Sequence, residues 1–421
     1  MAQSLSRAVT KTLHETHQYA AEPLFVYDEA KVFWGAAFRI SSDRHNGHQV
    51  VANLQALKNV ASVWPDSKLE LASRPPTLGL NQQSDRNGRT SLGAADASRS
   101  AIAQHTSSHL SPTEGSQPGH LKHLKPHWKG AHTLAPVPHN KYSADQFPPH
   151  VITGVDIQHR LGNFGQGVLV CIADTGVDFS HDGLNTAKPQ GTPCIGEGCA
   201  LAGGIDFIGE EFDGQHFRRG PLNYKAVQAV NSLECAHGTH TSAIVLANNT
   251  GLGYVGVVPQ ARFRHYKIYA CSVKDPQTGK VSPDTDGGYT SIVLAAISQA
   301  FKDKCDVFTS SIGGGSGFAK EPTAAAASNL GQHIPVFFSS GNSGRKGLWT
   351  AGTPAAGDHV ISVAASRAQF GASWAFTLDV DNGTTYGAFV TLPFSFGTSH
   401  HTKRKIYFTP EALESTFVHR E

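Results

Sequence analysis

No uninterrupted apolar run of about 18 residues occurs anywhere in the 421-residue chain, so no segment is suited to cross a membrane as a helix. An excess of charge of either sign is also missing. Thirty-five Lys and Arg face 33 Asp and Glu, a formal charge of +2, and no basic block tracks a phosphate backbone, so a nucleic-acid partner is not expected. Met1 to Ala20 is polar and mixed in charge, without the apolar core of a secretory leader. Six cysteines are too few to scaffold a chain of this length. Cys194 and Cys199 share one loop, where either a short bridge or two free thiols would fit. Cys171 lies in an apolar strand pattern and reads as a small core residue. Cys235 closely precedes His237, but neighbours on one tight turn rarely address the same substrate atom.

A 39% apolar content supports a sizeable core, and the length allows two or three domains. Residues 1–75 form a first unit of α+β type. Leu24 to Tyr27 and Val32 to Ile40 are predicted strands, His48 to Leu57 a helix, and Val60 to Pro65 a third strand. Residues 76–150 are rich in Ser, Gly, Pro, Gln and Asn and read as a disordered linker. The histidines there (His105, His109, His120, His123, His127, His132, His139 and His150) have no regular spacing and no scaffold to hold a metal.

From residue 151 to 368 strands and helices alternate, which predicts an α/β fold: a parallel sheet with helices on both faces. Gly167 to Ala173 is a continuous apolar run, as a doubly buried strand requires. Further strands are predicted at Arg264 to Tyr269, Asp306 to Ile312, Pro335 to Ser340 and Val360 to Ala364. Helices are predicted from His237, over Tyr289 to Asp303 with Ile292, Ala296, Ile297 and Ala300 on one face, and over Thr323 to Leu330.

In such sheets functional groups gather at the carboxyl ends of the strands. Asp174 ends the first strand, Ser311-Ile312-Gly313-Gly314 the middle one, and Asn342 follows the later one on a glycine-flanked turn. His237 opens a helix whose expected buried face is Ala243, Ile244 and Leu246. Thr239 is the expected cap, and Gly238 leaves room beside the ring. A carboxylate on the inner nitrogen of His237 would fix its tautomer and stabilise the imidazolium formed when it takes a proton. An amide on Asn342 would face a developing oxyanion, and Ser311 to Gly314 offers main chain for a peptide to pair with. These parts suit acyl transfer, most simply peptide hydrolysis.

These motifs resemble those of subtilisin-like serine proteases, the subtilases. Gly167 to Asp178 is similar to the family's aspartate motif, His237-Gly-Thr-His240 to its histidine motif, Ser311 to Gly314 to its substrate strand and Pro335 to Asn342 to its oxyanion segment. The resemblance implies Asp174, His237 and Asn342 as catalytic residues, peptide or protein substrates, a monomer, an extracellular setting, and no cofactor beyond a structural calcium ion. Asp206 to Asp213 is the acidic loop considered for that ion, although it reads better as a solvated loop, so no metal site is assigned. Leu24 to Leu71 resembles the family's inhibitory propeptide. At the other end, Gly397-Thr-Ser399 runs into the basic His400 to Lys405, which cannot open the buried helix that carries the family's nucleophile. Residues 369–421 resemble the start of an insertion, with strands predicted at Trp374 to Asp379 and Tyr386 to Leu392, and the chain is expected to stop before the true serine. A catalytically silent peptide-binding or decoy relative is the alternative reading.

Overall fold

The computed structural model describes residues 6–7, 10–11, 13–14, 19–41, 47–57, 60–69, 147–184, 188–189, 191–225, 236–248, 255–270, 273–274, 277–278, 281–282, 288–314, 317–344, 347–348, 350–366, 374–379 and 385–390. The described residues from 6 to 14 are helical, and two antiparallel strands follow, β1 (Ala20–Glu29) and β2 (Phe33–Ser41), with a register irregularity between Pro23 and Phe25. Proline lacks the donor a regular ladder needs, so the irregularity falls where the sequence demands it. Helix α1 (Gly47–Gln55) follows. The strand predicted over Val60 to Pro65 does not form. The chain instead runs on irregularly to a two-residue strand, β3 (Lys68–Leu69).

Two short helices, α2 (Pro148–Thr153) and α3 (Val155–Arg160), meet at Gly154, whose φ of 77° suits a residue without a β-carbon. His150, read from sequence as part of the linker, is buried here with its ring edge-on to His159. The His159 Nε2–H donates to Val257 O at 2.9 Å. Next come β4 (Leu169–Asp174), β5 (Leu201–Asp206), helix α4 (His237–Leu246) and β6 (Arg262–Lys267). The small pair β7 (Val273–Lys274) and β8 (Val281–Ser282) precedes β9 (Gly288–Tyr289) and helix α5 (Thr290–Lys302). Strand β10 (Val307–Ser310), helix α6 (Pro322–Gly331), β11 (Val336–Ser339) and β12 (Ile361–Val363) complete the first unit.

Six of these strands form one parallel sheet in the order β12, β11, β10, β4, β6, β5. Strand β4 lies inside it and feeds both cores. Cys171 and Ala173 join the larger cluster with Phe308, Phe338 and helix α5, whereas Val170 and Ile172 join Phe179, Leu201, Leu246 and Phe263 on the other face. This two-sided burial is what the continuous apolar run predicted. Strand β5 was not legible because Gly203 and Gly204 break its pattern. A β-carbon on Gly204 would lie 2.1 Å from His265 O, so β6 approaches closely only because glycine is there.

Helix α5 is buried nearly all round rather than on one face. Val293, Leu294 and Ala295 are covered as well as Ile292, Ala296, Ile297 and Ala300. The β1–β2 hairpin adds to this cover, packing Tyr27 and Val32 into the same cluster. Tyr27 Oη–H donates to Ser291 O at 2.8 Å, and Asn329 Nδ2–H on α6 donates to Val32 O at 3.0 Å. Lys302 pairs with Asp28. The N-terminus of α5 has no cap from Tyr289, and Asp66 supplies one from far away in sequence. Its carboxylate accepts from Ser291 N at 2.8 Å and from Ser291 Oγ at 2.6 Å. Strand β3 then pairs with β9, Lys68 opposite Tyr289 and Leu69 opposite Gly288.

Among the described residues there are two disulfides. Cys194–Cys199 closes the loop for which a bridge and free thiols had both stood open. Cys171 is buried as expected but is not a free thiol: it bonds to Cys305 at the entry to β10, 134 residues away, a pairing no local pattern announces. The second unit, 368–421, contains the antiparallel pair β13 (Trp374–Asp379) and β14 (Thr385–Val390), with Trp374 opposite Val390.

Candidate active site

Asp174 closes β4 and is 0% exposed, with its carboxylate fully engaged. Oδ1 accepts from Thr175 N at 2.7 Å and from the ring of His237 at 2.6 Å, and Oδ2 accepts from Thr241 Oγ1 at 3.1 Å. A carboxylate only accepts, so His237 Nδ1 carries the hydrogen and Nε2 is the nitrogen able to take up a proton. The His237 side chain is 28% exposed, as a base that meets a substrate must be. Burial opposes its charged form, but the hydrogen bond and the charge of Asp174 outweigh this and raise its pKa above the ordinary histidine value. His240, on the same helical turn, is shifted down, by burial and then by His237.

The start of α4 is held from outside the helix. Thr239 does not cap it; its hydroxyl accepts from Asp178 N at 2.9 Å, while Gly238 N donates to Thr175 Oγ1 at 2.8 Å. Gly238 does not open space beside the ring either, because its α-carbon lies against the main chain of Thr175 and Gly176. The helix buries Gly238, Ser242 and Leu246, a stripe of spacing four, and leaves Ile244 46% exposed, contrary to the predicted face. Small residues serve this stripe because the helix start sits directly on the turn after Asp174. Thr175 and Thr241 were missed in the sequence. Thr241 lies four positions after His237, one helical turn along the same face, and that spacing was the available signal.

The other predicted residues follow neighbouring strands of the same sheet. Ser311 and Ile312 continue from β10, with Ile312 buried, and Ser310 Oγ–H ties β10 to β4 through Ala173 O at 2.7 Å. Gly314 is not an open edge. It forms an antiparallel bridge to Thr353, with N···O distances of 2.9 and 2.6 Å, and a β-carbon on Gly313 would lie 3.0 Å from Thr353 O. Asn342 is exposed beyond β11, on a turn where Gly341 has φ 84° and donates its N–H to Ser339 Oγ at 3.1 Å. Cys235 and Ser399 lie outside the described residues.

Two carboxylates of the acidic loop are already engaged by donors. Asp206 accepts from Ile208 N at 2.9 Å, Gly209 N at 2.8 Å and Lys267 Nζ at 2.8 Å. Asp213 accepts from Gln215 N, His216 N and His216 Nδ1 within 2.9 Å. Burial raises the pKa of Asp213, but these donors outweigh it and bring the carboxyl to about 2. Both carboxylates are turned toward N–H donors, one of them a lysine, where a hard cation needs converging oxygens.

The subtilase family model matches residues 165–405, more than half of the chain and the whole span from β4 to Asn342. The chain belongs to the subtilase family. This subtilase is 28% identical over 224 residues to the minor extracellular protease Vpr of Bacillus subtilis (strain 168), an alignment covering 53% of this chain and 23% of Vpr. It is 28% identical over 208 residues to subtilisin E of the same organism, covering 49% of this chain and 43% of subtilisin E. It therefore spans less than half the length of either relative. Solved structures similar to it include the Clostridium perfringens CspB protease, at 17% identity, 49% and 41% coverage and a TM-score of 0.31. A lanthipeptide protease matches at 18% identity, 53% and 54% coverage and a TM-score of 0.31. Among the described residues no helix is long and apolar enough to cross a membrane.

Proposed function

We propose that this subtilase hydrolyses peptide bonds as a serine-type endopeptidase, with His237 as general base, Asp174 as its orienter and Asn342 as oxyanion donor. Ser311, Ile312, Gly313 and Gly314, the last already bridged to Thr353, form the segment beside which a peptide or protein substrate lies. The supporting observation is the 2.6 Å hydrogen bond between His237 Nδ1 and a fully buried Asp174 at the carboxyl end of a sheet strand. In that arrangement the nucleophile's proton passes to His237 Nε2, Asp174 stays charged to stabilise the imidazolium, and the same proton is later delivered to the leaving amine. The extracellular setting rests on the name of Vpr and fits the two disulfides. The proposal also assigns residues 1–75 as an inhibitory propeptide, 76–150 as its linker, 151–368 as the catalytic domain and 369–421 as the start of an insertion. The docking of the hairpin on α5 and α6 supports the first assignment.

An active-site fluorophosphonate probe tests the reading on the intact chain. Labelling that is lost in His237→Ala and in Ser399→Ala supports a hydrolase with Ser399 as nucleophile. Labelling lost only in His237→Ala supports the hydrolase and moves the nucleophile elsewhere. No labelling, with peptide binding retained, overturns the hydrolase in favour of a silent binding module.

A further inference from the structure

His265 takes no part in the chemistry just described, yet its ring joins the elements that carry it. It is 0% exposed in the middle of β6. Nε2 lies 2.6 Å from Thr175 O, and a carbonyl only accepts, so Nε2 carries the hydrogen. Nδ1 is then the acceptor toward Ser242 Oγ on α4, at a longer 3.5 Å. Burial is the leading influence on this ring and holds it below the ordinary histidine pKa, against the Thr175 carbonyl and the charges of Asp174 and Asp206, with Lys267 adding to the effect. The neutral form is the one that donates at Nε2 and accepts at Nδ1.

Thr175 is the junction of the site. Its amide donates to Asp174 Oδ1, its hydroxyl accepts from Gly238 N, and its carbonyl is gripped between His265 and the α-carbon of Gly238. We propose that His265 is a positioning residue for the Asp174–His237 pair: by donating Nε2–H to Thr175 O it fixes the turn that aims the Asp174 carboxylate at His237 Nδ1. A histidine that merely fills the core would affect stability and leave the titration of His237 unchanged. The proposal rests on reading His237 as a base oriented by Asp174, so the test reads that pair separately.

The test follows the imidazole resonances of His237 and His265 by heteronuclear NMR in the intact chain. His265→Leu keeps the bulk and removes the donor, whereas His265→Gln keeps a terminal N–H near the position of Nε2. The expected result is a His237 midpoint lowered by about one unit in His265→Leu and held near the wild-type value in His265→Gln. Equal midpoints in all three proteins, or an equal drop in both variants, would overturn the positioning role. Where His265→Leu does not fold, the wild-type spectrum decides: His265 protonated at Nε2 and bare at Nδ1 from pH 5.5 to 8 supports the role, while the opposite tautomer or an imidazolium overturns it. Asp174→Asn is the control, and a His237 midpoint indifferent to it would sink the reading of the pair itself.

Discussion

A methyl group on Gly238 would lie 2.6 Å from the carbonyl oxygen of Thr175 and 2.5 Å from that of Gly176, both backbone atoms that cannot turn aside. Gly238→Ala is therefore expected to push α4 off the Asp174 turn and to cost about 1–3 kcal/mol of unfolding free energy. Urea unfolding of variant and wild type measures this, and an unchanged midpoint would contradict the packing described.

The raised pKa of His237 has a defined pH signature. A histidine raised in the folded state adds stability that is fully present below its unfolded value of about 6.5 and is lost as pH rises through the folded value. The stability difference between wild type and His237→Gln should therefore shrink between pH 5.5 and pH 9, as urea unfolding at the two pH values would record. Hydrolysis, which needs the neutral ring, should rise over the same window.

Lys267 and Asp206 form a buried pair at 2.8 Å, at the ends of β6 and β5. Lys267→Met leaves a buried carboxylate without its cation, at an expected cost of about 3–5 kcal/mol. Adding Asp206→Asn should recover much of that loss. A double variant as unstable as the single one would show that the charge is not the cause.

The two disulfides should differ in weight. Loop-closure entropy gives about 5 kcal/mol for the 134-residue separation of Cys171–Cys305 and about 2 kcal/mol for the five-residue separation of Cys194–Cys199. Paired Cys→Ala variants compared by thermal unfolding check the order, which a larger loss on opening Cys194–Cys199 would reverse.

Asp66 caps α5 from the N-terminal segment. Asp66→Ala should lower hydrogen-exchange protection in β1 by about fivefold, the effect of one lost cap of about 1 kcal/mol. Protection unchanged across Val26 to Asp28 would mean that the hairpin is seated without help from the Asp66 cap.

Much of the site could be read from residue order. Asp174, Asn342 and the Ser311 to Gly314 segment each follow a run rich in Val, Ile or Phe, and such runs end where a parallel sheet gathers its functional groups. The pairing of His237 with Asp174 was legible because a histidine serving as a base needs a carboxylate on its inner nitrogen, and Asp174 ends the apolar strand run. Thr175, Thr241 and His265 were not, since their roles depend on which main-chain atom each one meets. Strand β5 was hidden by glycines present for the sake of β6. The burial of α5 could not be inferred from its own sequence either, because part of its cover comes from residues more than 250 positions earlier, as the Tyr27 to Ser291 separation of 264 shows.

The placement of α5 between hairpin and sheet has a colloidal consequence. While β1 and β2 are seated, Phe25 lies against Phe217 and Tyr27 bonds to Ser291 of α5. Once the hairpin leaves, the apolar surface it packs against, Phe217 included, would face water, the sort of surface through which separate molecules adhere to one another. The N-terminal hairpin thus also acts as a solubility cover, and a chain that sheds it should gain a concentration-dependent tendency to associate.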